Sequence, residues 1–284
     1  MRIVRTTEEM RAALDEPRRR GARIALVPTM GYFHAGHLSL MRRARAESDV
    51  VVVSLFVNPT QFNDAADLDA YPRDEARDRD MASGVGVDIL FAPAAEDMYP
   101  SGFATTVAVT GVSERLEGAS RGAAHFRGVA TVVAKLFNIV EPAVAYFGQK
   151  DAQQALVIRR MARDLNFRLD VEVCPTVREA DGLAMSSRNV RLAPTARAQA
   201  LALRRGLDAA VRAIAAGEHD PARVVACGGD VMRALAVEPE YFAVVSAETL
   251  APLPTIEGDV LVAVAARVGG VRLIDNEIVR ATSP

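Results

Sequence analysis

Between Ile24 and Ala44 the chain changes its period once, and this constrains its fold more than any other feature. Ile24-Ala25-Leu26-Val27 is a short, continuous apolar run, the pattern of a strand buried on both faces. His37-Leu38-Ser39-Leu40-Met41-Arg42-Arg43-Ala44 then reads as a helix. The segment from Pro28 to His37 joins them and carries Gly31, His34, Gly36 and His37. In an open α/β sheet such a turn lies at the carboxyl edge, where ligands bind. The first turn of the helix presents unpaired N–H groups that favour an anion. Glycine lets backbone approach a phosphate, and histidine adds donors whose charge changes near neutral pH. His34 and His37 therefore admit three readings: caps of the turn, phosphate ligands or metal ligands. Metal ligation ranks last, because the chain has four histidines and no third ligand stands nearby in sequence.

The rest of the first half repeats the alternation. Thr6 to Glu9 offers a capping box for a helix running toward Arg19. Val50 to Val57 is β-branched and reads as a central strand. Pro72 suits the first position of a charged helix, and Val87 to Phe91 reads as the next strand. Thr105 to Val109 alternates weakly, as an edge strand would. Gly118 to Gly128 reads as a flexible basic loop before a helix over Val129–Val140. Val144 to Phe147 is another short strand, Ala152 to Leu165 a helix with Asp151 as its N-cap, and Leu169 to Val173 a last strand. Strand and helix in alternation imply a parallel sheet with right-handed crossovers.

After Pro175 the character changes. Arg178 to Asn189 is a polar loop, and Ala196 to Gly217 a long alanine-rich helix. Asp220-Pro221 starts another. Gly269-Gly270 separates two apolar runs as a hairpin turn. The fold class expected is α/β: a Rossmann-like parallel-sheet domain over residues 1–176, with a smaller α+β domain over residues 177–284.

Composition excludes several functions. The 284 residues carry a net charge of −2, so there is no electrostatic footprint for nucleic acid. With no tryptophan and 5% aromatic residues, there is no base-stacking platform either. The apolar run from Val50 to Val57 is far too short to span a bilayer as a helix, and the N-terminus does not read as a signal peptide. Two cysteines, Cys174 and Cys227, imply no disulfide framework and suit a reducing cytoplasm.

Four polar loops carry the chemistry. They hold His34 and His37; Asn58 and Gln61; Lys150, Asp151, Gln153 and Gln154; and Met185-Ser186-Ser187-Arg188-Asn189. Singly each has a bland alternative: Gln61 or Gln154 could satisfy backbone groups, Ser186 and Ser187 could cap a turn, and Lys150 could be a solvated surface charge. Together they suggest a site for a polyphosphate and a small polar molecule.

Seven segments in order carry a family resemblance: Pro28-Thr29-Met30-Gly31 with His34-Ala35-Gly36-His37; Phe56 to Phe62; Tyr71-Pro72-Arg73; His125 to Val129; Phe147 to Asp151 with Gln153-Gln154; Asp181 to Asn189; and Arg272 to Asn276. The chain resembles the pantothenate synthetase family, within the wider nucleotidyltransferase group that shares the HxGH element. The resemblance implies an enzyme that joins pantoate to β-alanine using ATP and Mg2+, through a pantoyl adenylate, as a cytoplasmic homodimer. It places His34, His37, Lys150, Ser186, Ser187 and Arg188 in catalysis. Met30, Asn58, Gln61 and Gln154 go to the substrate. Met30, His37, Gly148, Lys150, Asp151, Val177, Met185 and the Ser186–Arg188 run go to ATP, and Asp78 to the metal. The smaller domain is expected to contribute the Ser-Ser-Arg loop and cover the site. Three features depart from the family pattern: Tyr32 and Phe33 in the histidine turn, Gln149 in place of a glutamate, and a loop at Arg121–His125 one residue longer. An adenylyltransferase sharing the histidine turn, a nucleic-acid-binding module and an inactive homologue are the competing readings.

Overall fold

A computed structural model describes residues 1–63 and 65–281. They cluster into two compact units. The first comprises Met1–Gly148 and Gln153–Pro175, and the second Gln149–Ala152 and Thr176–Pro284.

The first unit is a Rossmann-like α/β sandwich. In chain order its elements are β1 (Arg2–Val4), α1 (Thr7–Arg19), β2 (Ile24–Thr29), α2 (Ala35–Glu47), β3 (Val50–Leu55), α3 (Ala65–Asp69), α4 (Glu75–Ser83), β4 (Ile89–Phe91), α5 (Ala95–Met98), α6 (Glu117–Arg121), α7 (Ala123–Val140), β5 (Val144–Gly148), α8 (Ala152–Asp164) and β6 (Asp170–Cys174). The strands form one sheet in the order β1-β4-β3-β2-β5-β6, and every pairing is parallel. The order reverses between β2 and β5. That is the switch point of an open α/β sheet, where crossovers leave in opposite directions and open a crevice.

Both faces of the sheet are buried, which explains the unbroken apolar runs. Leu26 and Val52 pack with Met10 and Leu14 of α1, Phe137 of α7 and Ile158 of α8. Their neighbours Ala25, Val27, Val51 and Val53 point the other way, onto Leu40, Met41 and Ala44 of α2. Successive residues of a strand serve opposite faces, so one valine-rich run fills two cores. α7 has the length and hydropathy of a membrane-crossing helix, yet most of it is buried within this unit.

The second unit holds α9 (Pro194–Gln199), α10 (Leu201–Ala215), α11 (Pro221–Ala234), β7 (Pro239–Ser246), β8 (Gly258–Val268) and β9 (Val271–Ala281). Its three strands are antiparallel. Their apolar face packs on α10 and α11 through Leu203, Leu207, Val224 and Met232. Gly269 and Gly270, both at positive φ, make the β8–β9 turn expected from the sequence.

Several local expectations are corrected. Residues 105–109 form no strand; Val107 and Val109 pack on the core, and the Val107 N–H donates to Thr131 Oγ1 at 3.0 Å. The segment expected as a loop at 118–128 is mostly helical, because α7 begins six residues early, after Gly122 at φ 80°. The helix expected over 196–217 breaks at Ala200 into α9 and α10. Pro72 precedes α4 rather than opening it, and Asp74 caps that helix by accepting from the Arg77 N–H. Asp151 does not cap α8 alone: the helix is entered from a 3-10 turn, Gln149–Asp151. The Thr6 capping box on α1 is present as expected.

One close approach positions the site. A 3-10 turn, Pro59–Gln61, follows β3. A Cβ on Gly128 of α7 would lie 2.4 Å from the Thr60 carbonyl oxygen and 2.8 Å from the Gln61 nitrogen. Only a residue without a side chain lets α7 support this turn. Gly128→Ala is expected to push the turn off the helix and destabilise the protein by about 1–3 kcal/mol, the usual cost of overpacking. Urea unfolding checks it; an unchanged midpoint would mean the turn yields freely.

Candidate active site

The histidine turn leaves the carboxyl end of β2 beside the switch point. α2 starts at Ala35 with His34 as its N-cap. The two imidazoles lie 4.1 Å apart between centroids. His34 Nδ1 accepts from the Gly36 N–H at 3.1 Å, and His37 Nδ1 accepts from the His34 N–H at 3.3 Å. A ring nitrogen that accepts carries no proton, so each neutral ring holds its proton on Nε2. Capping the helix and presenting a donor are thus one arrangement, and the structural and phosphate readings of the histidines do not compete.

The turn is gripped from α4. Asp78 is 1% exposed, and its two carboxylate oxygens accept from the Tyr32 and Phe33 N–H groups, each at 2.6 Å. Its neighbour Arg77 donates to the Phe33 carbonyl at 2.9 Å and sits 5.0 Å from the centroid of the Tyr32 ring. Tyr32 has φ 53°, a left-handed conformation that costs a non-glycine residue on the order of 1–3 kcal/mol. Gly31 precedes it at φ 89°, where a Cβ would meet Leu55 Cδ1 at 2.5 Å and Asp78 Oδ2 at 3.0 Å. Phe33 is fully buried in the sheet's second core. The two departures from the family pattern are therefore accommodated, Tyr32 by Arg77 and Phe33 by the core.

Asp78, the residue expected at the metal, makes these contacts with the histidine turn. Both its oxygens serve backbone N–H groups, and among the described residues no three His, Cys, Asp or Glu side chains gather into a metal site. The residues present do not form a protein-held magnesium cage. Burial pushes the Asp78 carboxyl above the usual carboxylate range, while the bonds from Phe33 and Tyr32 pull it back.

After β3 the Asn58–Gln61 loop is a closed network. Asn58, also 1% exposed, donates from Nδ2 to Gln61 Oε1 at 3.1 Å and to the Gly128 carbonyl at 3.2 Å. Its Oδ1 accepts from Tyr99 Oη at 2.8 Å and Thr60 Oγ1 at 2.9 Å. Asn58, expected among the substrate residues, uses its side-chain amide on Gln61, Gly128, Tyr99 and Thr60. Gln61 Nε2 lies 2.8 Å from Met30 Sδ, so two expected substrate residues meet. His125 Nδ1 lies 2.8 Å from the Gln61 carbonyl oxygen, and Asn63 Nδ2 donates to the Arg121 carbonyl. The longer Arg121–His125 segment is thus bound to this loop at both ends.

On α8 the paired glutamines divide their work. Gln153 is buried and spends its amide on backbone, accepting from the Glu117 N–H and donating to the Val112 and Arg115 carbonyls. Gln154 is half-buried.

The second unit carries the remaining groups. Lys150 is half-buried, and its Nζ lies 3.4 Å from Asp151 Oδ1. Val177 and Met185 face each other across a tight loop, the Met185 N–H donating to the Val177 carbonyl at 3.0 Å. Ser186 Oγ accepts from the Arg188 N–H at 3.2 Å and caps a 3-10 turn, Ser187–Arg191. Sequence reasoning missed Asp78's brace, Tyr99 and the structural use of Gln153. Nothing in a residue's type reports that both its polar atoms will be buried.

The comparisons agree with one another. The family model for pantoate-β-alanine ligases matches residues 2–278. The pantothenate synthetase of Moorella thermoacetica is 54% identical over 279 residues, 98% of each chain. That of Thermotoga neapolitana is 54% identical, over 98% of this chain and 99% of its own. The crystal structure of pantothenate synthetase from Thermus thermophilus superposes with a TM-score of 0.92 at 49% identity, covering 98% of this chain and 99% of that one. A crystal structure of pantoate-β-alanine ligase from Francisella tularensis, complexed with β-γ ATP and β-alanine, superposes at 0.80 with 31% identity, covering 98% of this chain and 97% of that one.

Asp78→Asn is expected to leave one backbone N–H of the turn facing an amide NH2, costing about 1–3 kcal/mol of stability. A carboxyl whose folded pKa is raised contributes stability below its unfolded pKa and loses it as pH rises through the folded value. The stability gap between wild type and variant should therefore be widest in acid and shrink as pH rises through that window. Denaturant unfolding over a pH series checks the slope; a gap that widens instead would refute it.

Proposed function

The chain belongs to the pantoate-β-alanine ligase family, and on that premise we propose that it condenses pantoate with β-alanine, using ATP. The carboxylate oxygen of pantoate attacks the α-phosphorus, pyrophosphate leaves, and pantoyl adenylate forms. The β-alanine amine then attacks the acyl carbon. The acyl–oxygen bond breaks, AMP leaves, and the nitrogen loses a proton to yield the amide of pantothenate. The observation that carries this reading is identity at about half of all positions, 54% for the Moorella relative, over nearly the whole chain.

The residue roles follow from what each step needs. Negative charge grows on the phosphorus centre, so catalysis rests on positioning and electrostatic stabilisation. His34 and His37 donate from Nε2. Lys150 supplies a compact positive charge and Arg188 a planar fork for phosphate oxygens. Ser186 and Ser187 are neutral donors. Gly148, Val177 and Met185 border the nucleotide, and Asp151 reads its ribose. Gln61 and Gln154 hold pantoate with amides that both donate and accept, and Met30 meets its methyl groups. The first unit is assigned pantoate and the histidine turn; the second is assigned the lysine turn and the Ser-Ser-Arg loop. Magnesium, which favours phosphate oxygens with few protein ligands, is assigned to ATP itself. No nucleophilic side chain is required, since the adenylate is the activated species. A homodimer and a cytoplasmic location complete the proposal. The dimer rests on the family resemblance, and the location also on the free thiols of Cys174 and Cys227.

AMP release from ATP is expected to require both pantoate and β-alanine, measured by a coupled AMP assay with each omitted in turn. Full release without β-alanine would mean the second half-reaction is misassigned. An adenylyltransferase would yield pyrophosphate without any AMP. His37→Ala should lower turnover a hundred- to thousandfold, about 2.7–4 kcal/mol of barrier for one lost donor, with the fold retained by circular dichroism. Wild-type turnover in that variant would remove His37 from the phosphate site.

A further inference from the structure

The Arg272–Asn276 segment is part of the family resemblance, yet none of its residues has a role in the reaction proposed above. We propose that Asn276, on β9, is a positioning residue that fixes Lys150, and that its neighbour Asp275 fixes the serine-arginine loop from the same strand. The proposal rests on the assignment of Lys150 to the phosphates of ATP.

Asn276 is 5% exposed and Asp275 is 3% exposed, side by side on β9. Burying two such groups is costly unless every polar atom finds a partner. Apart from the Asn276 N–H, which Asp275 accepts, the partners lie on segments assigned phosphate-binding groups. Asn276 Nδ2 donates to the carbonyls of Gln149 at 3.0 Å and of Lys150 at 2.8 Å. Its Oδ1 accepts from Gln149 Nε2 at 2.9 Å. The amide has two N–H groups, and both are spent on consecutive carbonyls of one turn.

That turn needs external support. Gln149–Asp151 is a three-residue 3-10 turn, too short to be stable by its own hydrogen bonds. It clusters with the second unit rather than with β5 and α8, which flank it in sequence. The lysine stem is flexible, so the reach of Nζ is set by where its backbone is pinned. Gln149, the departure from the family's glutamate, donates to Asn276 Oδ1. A carboxylate at that position has no hydrogen to give.

Asp275 does the corresponding work on the other segment. Its oxygens accept from Arg178 Nη1 at 2.7 Å and Nη2 at 3.1 Å, and Oδ1 also accepts from the Asn276 N–H at 2.8 Å. Arg178 bridges to Ala184 across the loop, directly before Met185-Ser186-Ser187-Arg188, and donates to the Gly182 carbonyl at 3.2 Å. β9 itself is held to β8 in unbroken register from Gly258↔Ala281 to Val268↔Val271. Successive side chains of a strand point to opposite sides. Two adjacent residues of one rigid strand thus tie down two segments that carry phosphate-binding groups.

The test is steady-state kinetics on the full-length protein, with ATP varied and then pantoate varied, for Asn276→Ala, Lys150→Ala and the double variant. Misplacing a catalytic group by about 1 Å costs on the order of a hundredfold. Asn276→Ala is therefore expected to lose about a hundredfold in kcat/KM for ATP, with KM for pantoate unchanged. In the Lys150→Ala background it should cost no more than about twofold, because the group it positions is gone. Wild-type kinetics in Asn276→Ala, an equal further loss in the double variant, or a matching rise in KM for pantoate would each overturn the proposal. If Lys150→Ala alone keeps full activity, the phosphate reading of Lys150 fails first and the proposal falls with it. Should Asn276→Ala lose its circular dichroism, Asn276→Asp replaces it, since it removes both donors and keeps the shape. Loss of fold in both would make the residue structural and end the proposal.

Discussion

One buried carboxylate holds the histidine turn in shape. The chain leaves β2, passes Gly31 and Tyr32 in left-handed conformations, and must present two imidazoles at the start of α2. The left-handed Tyr32 works against that path. Asp78 supplies what the turn lacks: two short bonds to consecutive N–H groups, shielded from water. The histidine Nδ1 atoms then complete the cap from within, which leaves the proton of each neutral ring on Nε2.

The same economy recurs at the other loops. Two candidate ligands stand beside a buried, hydrogen-bonded asparagine. Asn58 stands behind Gln61, and Asn276 behind Lys150. The paired residues are chemically similar, but burial separates them. Asn58 and Asn276 are buried, and Gln61 and Lys150 are half-buried. In this chain a polar residue's exposure reports its task better than its type does.

The large elements were legible because they rest on periodicity. The valine-rich strands, the capping box at Thr6, the helix start at Asp220-Pro221 and the Gly269-Gly270 hairpin all follow from short-range patterns. The misreadings share a cause. Residues 105–109 have a strand's alternation but no strand beside them to pair with. Residues 118–128 are rich in glycine, yet the packing of Phe126, Val129 and Ala130 in the core favours helix over their loop-like composition. Local propensity is a weak prior that tertiary contacts override.

The sequence by itself determined the family, the alternation of strand and helix, and the set of polar residues from which the site is drawn. These depend on residue types at fixed spacing, which a linear chain displays. The tertiary structure alone decided which of those residues spend their polar atoms on the protein itself. Asp78 braces the histidine turn, and Asn58 bonds to Gln61. Gln153 became a backbone anchor, and Asn276 acquired a place at all. Each outcome depends on which groups burial brings within 3 Å, and partners 45 or 126 residues apart in sequence leave no trace in local pattern.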